Sequence, residues 1–390
     1  MVILKLILSY HTLGTNDVVA CMICSDTVRN VGILHVYTAL PRVNNAPLFV
    51  WIGAFAKLLE FKSNLSYPYL FRLLPIFADF VSIFVIWELL KKHKINNKIF
   101  IAMLCAISPI NFLVSGFHGN YDAVFILLVL LAIYFAENDN IVVSACMCAF
   151  SIGIKLVPIM LVPLFMYCLR GRYKKMLFSS VLLVVLLAVY VPFLISDSRS
   201  LIKSVFLYKS DPYNWGIWKV VSFLSQSPNI FVVAFSQSLE KFYLEYGMSM
   251  FRIVIAVAPL ALVIHRKLNL IEGTFAAFSI FLIFTPGFGV QYLLWLSFFS
   301  IMVMPLLGTI YVFAGGFYLS LVYILWGAGR PPYFANARID HGLLPLRITP
   351  YLRFENGILV FGLVVWIIIV AMLAIFLFTK RITAPRNNSY

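Results

Sequence analysis

The sequence predicts an all-α integral membrane protein, a bundle of about 11–13 transmembrane helices with a helical first outer loop. Of its 390 residues, 62% are hydrophobic and only 12% are charged. A soluble domain carries about 25% charged residues, so lipid must cover much of this surface. The apolar residues also gather into runs close to the length of about 20 residues that crosses a bilayer. We interpret residues 1–390 as a single polytopic transmembrane domain.

Twelve apolar runs are candidate spans. They are 1–13, 70–90, 99–116, 121–136, 141–154, 156–169, 176–195, 249–265, 271–284, 291–308, 310–327 and 358–379. The region 219–247 is ambiguous. Lys155 interrupts the run from 141 to 169, and such a break is tolerated where it lines a cavity or is buried in protein.

Some of the loops that we expect on the outer side of the membrane are long. The first outer loop covers 14–69, and within it residues 46–60 are predicted to lie as a helix in the outer interface, anchored by Trp51 and Lys57. A late outer loop covers 328–357. The polar tail 384–390 is predicted to be disordered.

Basic residues cluster between the spans and indicate orientation. The clusters are Lys91 to Lys98, Arg170 to Lys175, His265 to Lys267, and Lys380 with Arg381. With alternating spans they fall on one side, which the positive-inside rule makes cytoplasmic, provided that 219–247 adds no net crossing. This placement explains the net charge of +15 without a nucleic-acid partner.

Asp17 is the first candidate for chemistry. It follows the first apolar run, at the expected outer surface, where a carboxylate could take a proton from an acceptor hydroxyl. The alternative is that Asp17 caps a helix over 18–29, since Thr15, Asn16 and Asp17 all suit a helix start. Asp26 is the reserve candidate for the base.

Three further charged residues lie within or beside the spans. Arg72 and Asp79 are seven residues apart, so they share a helix face, where Arg72 either meets an anionic head group or tethers a neighbouring helix. Lys155 is costly between two apolar half-spans unless it is paired. A phosphate ligand would satisfy it, and so would Asp79 or Asp122.

The segment 115–122 places polar groups at the outer mouth of two short spans. His118 and Asp122 could bind phosphate or sugar hydroxyls there, or the segment could simply cap the helix that follows. The predicted outer loop 196–218 adds aromatic and polar candidates: Tyr213, Asn214 and Trp215 suit a sugar ring or an ordinary interfacial belt.

Late in the chain, Thr285 to Val290 form a predicted outer hairpin, after which Gln291 and Tyr292 begin a span. The late outer loop carries four arginines, which favour either a lipid phosphate or head-group contact. They are Arg330, Arg338, Arg347 and Arg353.

Six motifs in this order resemble the GT-C class of membrane glycosyltransferases, and most closely the polyprenol-phosphate-mannose-dependent mannosyltransferases. They are GTND, NNAPLFVW, RLLPIFADF, GFHGNYDAVFILL, IKLVPIMLVPLF and PGFGVQYLLW, which together extend over roughly residues 10–300. The chain departs from the family pattern at Ala46, where a proline is usual, and at Asn120, where Gln is common.

The resemblance implies an inverting transfer of a hexose, mannose first among them, from a polyprenyl-phosphate carrier to a glycan or lipid acceptor. It implies Asp17 as the base and a donor pocket that needs no metal or other cofactor. The donor or its phosphate is assigned to Arg72, His118, Asp122, Lys155, Gln291, Tyr292 and Arg330. The expected location is the cell membrane of a prokaryote, with the site on the non-cytoplasmic side.

The alternative function is a transporter or flippase of a lipid-linked saccharide, which would also explain charges inside the membrane. Transporters tend to show internal repeats and a midplane site. Here no repeat is visible and the polar residues gather at the outer ends of the spans, which favours the enzyme.

Overall fold

The computed structural model describes residues 1–41, 43–95, 97–208, 215–225, 227–285, 287–329 and 355–379. Within these ranges the regular structure is helical. The α-helices are α1 Val2–His11, α2 Asn16–Val31, α3 Val36–Ala39, α4 Pro47–Lys62, α5 Tyr67–Lys92, α6 Lys98–Ala106, α7 Pro109–Leu113, α8 Asp122–Glu137, α9 Ile141–Ile154, α10 Val162–Cys168, α11 Arg172–Leu201, α12 Gly216–Leu224, α13 Ile230–Phe242, α14 Met248–Arg266, α15 Leu270–Phe284, α16 Leu293–Val303, α17 Pro305–Gly329 and α18 Glu355–Phe378.

In the described part of the chain, six helical stretches are long and apolar enough to cross a membrane. They are Tyr67–Lys92, Lys98–His118, Arg172–Phe206, Ile230–Arg266, Pro305–Ile324 and Phe361–Phe378. Shorter apolar helices pack among them, including α1, α9 and α15. The chain is therefore an all-α integral membrane protein, as its composition predicts.

Residues 230–247 of the ambiguous region 219–247 belong to one long helix. Helices α13 and α14 join through a π-helical turn at Tyr243–Gly247, so helix runs from Ile230 to Arg266. Its 37 residues span about 55 Å at 1.5 Å per residue. The predicted span 249–265 is thus the second half of a helix that begins well before it.

The break predicted at Lys155 is present. Helix α9 ends at Ile154, Lys155 is extended, and a 3₁₀ turn at Val157–Leu161 leads into α10. The predicted span 291–308 ends early, at Val303, because Met304 is non-helical and Pro305 starts α17. Proline suits a first helical turn because the missing N–H has no partner there.

The segment 14–69, predicted to be the first outer loop, contains a helical layer of α2, α3 and α4. Helix α4 begins at Pro47, and it leaves Trp51 half exposed, as an interfacial helix would. The layer packs on the C-terminal part of α11, where the rings of Tyr37 and Phe193 meet edge to face. This layer holds the N-terminal end of α2 against the bundle.

Candidate active site

The turn that joins the Lys98–His118 stretch to α8 positions the candidate site. Gly119 has φ +73°, and a Cβ there would collide with the side chain of Val18 and crowd that of Arg72. Only glycine accepts both the left-handed backbone and the close packing. The chain therefore reverses tightly, with His118 on one side of the turn and Asp122 at the start of α8 on the other.

Asp17 faces this turn because another residue caps its helix. The Thr15 hydroxyl accepts the backbone N–H of Asp17 at 3.4 Å and donates to the carbonyl of His118 at 2.8 Å. The Asp17 carboxylate is left for side-chain partners. Its Oδ2 lies 3.0 Å from His118 Nε2 and 2.7 Å from Asn120 Nδ2.

The electrostatics of Asp17 favour its ionised form. Burial is the largest single effect and raises the pKa of Asp17. Attraction and hydrogen bonding from His118, the hydrogen bond from Asn120 and attraction from Lys155 together outweigh it, so the pKa lies below its ordinary value. The Asp17 side chain is 29% exposed, and within the described residues its Oδ1 has no hydrogen-bond partner. That oxygen is the one left available to accept a proton.

A second charged pair lies across the turn. Lys155 Nζ is 2.7 Å from Asp122 Oδ1, which also accepts the indole N–H of Trp295. The ammonium lies 4.5 Å from the ring centroid of Tyr292 and 4.7 Å from that of Trp295, within the range of cation–π attraction. Asp122 is fully buried, whereas the Lys155 side chain is 22% exposed. Of the two partners considered for Lys155, the structure shows Asp122.

The two pairs form one cluster. Four residues far apart in sequence (Asp17, His118, Asp122 and Lys155) meet at the turn around Gly119, and the charge of Lys155 contributes to the lowered pKa of Asp17. A carboxylate with a free oxygen thus lies within electrostatic range of an ammonium group. Such a pair can take a proton from a hydroxyl and hold an anion next to it.

A comparison with known families identifies the class of protein. The sequence model of glycosyltransferase family 87 matches residues 45–286, more than half of the chain. This chain belongs to glycosyltransferase family 87. The resemblance to membrane glycosyltransferases of the GT-C class is confirmed by this match, while the preference for mannose stays a prediction. No curated protein matches the sequence.

Arg72 of this glycosyltransferase links α1 to the turn around Gly119 through hydrogen bonds. It is fully buried, and its guanidinium donates to the carbonyls of Ser9 at 2.6 Å and of Gly116 and Phe117 at 3.3 Å. Further bonds reach Thr12 and Pro68, so every N–H has a protein acceptor. The tether is therefore the arrangement that the structure shows, and no N–H of Arg72 is left for a head group.

Asp79 lies deeper in the bundle and does not meet Arg72 or Lys155. It pairs with Lys5 of α1, and its other oxygen accepts the Asn111 amide at 2.8 Å. The lysine and the aspartate are both buried. The pair fastens α1 to α5.

The remaining predicted site residues are spread around the cluster. Tyr292 covers Lys155 and stacks on Trp295 with ring centroids 4.2 Å apart. Gln291 is half-buried, with its amide folded against Gly289. Asp26, the reserve base, pairs instead with Lys57 at 2.9 Å.

Trp215 is part of the core. Its ring stacks on that of Phe288 with the centroids 3.9 Å apart, and its indole N–H donates to the carbonyl of Leu282 at 2.7 Å. The residue is 3% exposed. In the structure its ring packs against the hairpin that precedes Gln291, so the ring is not exposed for stacking on a sugar. Outside the described residues lie Tyr213, Asn214, Arg330, Arg338, Arg347 and Arg353, most of the loop 328–357, and the tail 384–390.

Two site residues were not predicted. The Tyr323 hydroxyl lies 3.0 Å from His118 Nδ1, and the Trp295 indole holds Asp122. Both belong to apolar spans in which aromatic residues are frequent, so nothing in the sequence distinguishes them. Within the described residues, no group of three or more His, Cys, Asp or Glu side chains could hold a metal ion.

Proposed function

We propose that this family 87 glycosyltransferase moves a hexose, with mannose the first to test, from a polyprenyl-phosphate carrier to an acceptor hydroxyl with inversion. The observation that supports the proposal best is the cluster at the turn around Gly119. It places an ionised carboxylate, Asp17, within electrostatic range of a partly exposed ammonium group, Lys155.

Asp17 serves as the general base in this proposal. The acceptor oxygen attacks the anomeric carbon while Asp17 Oδ1 takes its proton. The bond between the anomeric carbon and the phosphate oxygen breaks, and its electron pair leaves with the polyprenyl phosphate. Direct displacement inverts the anomeric centre. A base within hydrogen-bond reach of the attacking hydroxyl contributes on the order of 10²–10⁴ to the rate.

Lys155 binds the phosphate of the donor. Asp122 and the two aromatic rings hold the ammonium in place, so it needs no reorganisation when negative charge develops on the leaving phosphate. A membrane-embedded position suits a donor whose carrier is a lipid. Arg330 is assigned to the same phosphate, and Tyr213 and Asn214 to the sugar or acceptor.

The proposed site faces the non-cytoplasmic side, in the cell membrane of a prokaryote. The supporting pattern is the charge distribution, with the basic clusters Lys91 to Lys98 and Arg170 to Lys175 at the opposite ends of the helices that carry His118 and Lys155. The partners are a polyprenyl-phosphate sugar, a glycan or lipid acceptor and the surrounding lipids.

The test compares two aspartates on one helix. Asp17→Asn should lower transfer from polyprenyl-phosphate mannose by about 100-fold or more, because an amide cannot accept the proton. Asp26→Asn makes the same chemical change near Lys57 and should leave transfer close to the wild-type rate. The assay follows release of polyprenyl phosphate and labelled product in proteoliposomes.

Two results would count against this proposal. Asp17→Asn retaining the wild-type rate would exclude the base assignment. A wild-type protein that moves a lipid-linked saccharide across the bilayer without consuming any polyprenyl-phosphate sugar would favour the transporter.

A further inference from the structure

Tyr323 of α17 adds a third member to the pair of Asp17 and His118. Its hydroxyl lies 3.0 Å from His118 Nδ1, on the opposite side of the imidazole from Asp17. Both side chains are almost fully buried, at 4% exposure for Tyr323 and 2% for His118. The imidazole is therefore bonded through both ring nitrogens in a site with little access to water.

The hydrogen-bond chemistry of the neighbours determines where the hydrogen of a neutral His118 sits. An ionised carboxylate can only accept, so Nε2 must carry the hydrogen that reaches Asp17 Oδ2. The other nitrogen, Nδ1, is then an acceptor, and the Tyr323 hydroxyl donates to it. Asn120 donates to the same Asp17 oxygen and leaves Oδ1 for the acceptor.

We propose that Tyr323 is a positioning residue that holds the imidazole of His118 with Nε2 facing Asp17 Oδ2, and through it keeps Asp17 turned for the acceptor hydroxyl. The positioning of the imidazole stands on geometry alone. Its effect on catalysis rests on the proposed function.

The opposite tautomer would disable the site. With the hydrogen on Nδ1, the lone pair of Nε2 would face the lone pairs of Asp17 Oδ2 at 3.0 Å. A proton on Asp17 would relieve that repulsion, and a protonated Asp17 is no longer a base. Asp17 disfavours this state because its ionised oxygen accepts the Nε2 hydrogen, whereas the phenol can either donate to Nδ1 or accept from it.

Other charged and titratable groups surround the pair, and a Tyr323→Phe change leaves all of them in place. Lys155 and Asp122 form their own ion pair across the turn, and the guanidinium of Arg72 is bonded to carbonyls beside it. Cys21 lies one turn along α2, and Tyr292 covers Lys155. An altered pH dependence in the variant would therefore report on the link through His118.

The first experiment observes the tautomer directly. Protein labelled with ¹⁵N-histidine is reconstituted in liposomes, and solid-state NMR distinguishes the protonated ring nitrogen of His118, assigned by the loss of its signals in His118→Gln. Wild type should show hydrogen on Nε2. Tyr323→Phe should keep hydrogen on Nε2 but show a weaker Nε2–H···Asp17 bond, seen as an upfield shift of that ¹⁵N-bound proton. A wild-type signal with hydrogen on Nδ1 alone, or an Nε2–H signal unchanged in Tyr323→Phe, would overturn the proposal.

The second experiment measures the catalytic consequence. Tyr323→Phe should lower kcat by about 3- to 10-fold, the worth of one hydrogen bond, with the KM for the donor nearly unchanged. The acid limb of its kcat/KM profile should move to higher pH, because Asp17 becomes easier to protonate. In a His118→Gln background, the same change should have no further effect.

A matched control is Tyr311→Phe on the same helix. It removes a buried hydroxyl that donates to the carbonyl of Leu293 at 2.7 Å, away from the cluster. Its acid limb should match wild type. An equal shift in both variants would show a general packing effect and overturn the positioning role. If wild type transfers no sugar from polyprenyl phosphate, the proposed function fails, and the NMR result still decides the tautomer.

Discussion

At the scale of single residues, the candidate site depends on a division of roles in the segment 15–17. Thr15 caps α2 and also bonds the backbone of His118, so the Asp17 carboxylate is not used at the helix end. Because Thr15, Asn16 and Asp17 can all cap a helix, the sequence alone does not show which of them does so. The position of His118 decides it, since its Nε2 lies within hydrogen-bond distance of the Asp17 side chain.

The pH dependence of transfer should follow the lowered pKa of Asp17. Its folded-state pKa lies below the ordinary value of 3.8, so the carboxylate is ionised throughout the neutral range, and both its catalytic and stabilising effects are lost only as pH falls through the lowered pKa. We expect kcat/KM to show no acid limb from Asp17 above about pH 5.

Asn120→Ala removes one donor to Asp17 Oδ2 and should move the acid limb upward. Asn138→Ala, near Lys92 at the other end of α8, is the control and should not move it. The measurement is initial rate against pH at low donor concentration. An acid limb near neutral pH in the wild type would contradict an ionised base.

At the scale of elements, α1 is held in place by polar contacts inside the bundle. Lys5 pairs with Asp79 of α5, and Arg72 of the same helix bonds the carbonyls at the end of α1. Lipid tails are as apolar as the helix surfaces, so packing and polar contacts determine which helices associate. Because α1 leads directly into Asp17, these contacts also position the base.

Lys5→Met should destabilise the protein by about 3–5 kcal/mol, because it leaves the Asp79 carboxylate buried without its cation. The double variant Lys5→Met/Asp79→Leu should recover most of that loss, since neither charge remains. The free energy of unfolding is measured in mixed micelles with a denaturing detergent. Lys91→Met breaks an exposed pair with Glu88 and should cost less than about 1 kcal/mol. Wild-type stability in Lys5→Met would refute the role of the pair.

At the scale of the whole molecule, the site and the basic clusters lie at opposite ends of the helices that connect them. Helix α5 carries Arg72 near the turn and ends at Lys91 and Lys92, and α8 runs from Asp122 to Glu137. Glu137 meets His93 at 3.0 Å beside that basic end. The positive-inside rule then predicts that the turn lies on the non-cytoplasmic side.

Single cysteines test this orientation. In a variant without the six native cysteines, Asn64→Cys lies between α4 and α5 and Lys94→Cys lies after α5, and both positions are exposed. A membrane-impermeant maleimide added to intact cells should label position 64 and should reach position 94 only after permeabilisation. The reverse pattern would place the candidate site on the cytoplasmic side.

The sequence by itself determined the class of the molecule and the approximate positions of its helices. A chain with long apolar runs and few charges forms helices in lipid, because a helix bonds every backbone polar group within its own segment. The residues of the turn at 115–122 and the break at Lys155 were also visible, since glycine, proline and charged residues stand out in apolar surroundings.

Only the tertiary structure decided which of these residues meet. In the structure Lys155 pairs with Asp122, and Asp79 pairs with Lys5. Arg72 bonds the carbonyl of Ser9 in α1, and the Tyr323 hydroxyl lies within hydrogen-bond distance of His118. The physical reason is that in a membrane protein the lipid-facing and buried faces of a helix are both apolar, so hydrophobic periodicity does not show which face packs inward. Contacts between distant helices then follow from packing and charge pairing in three dimensions.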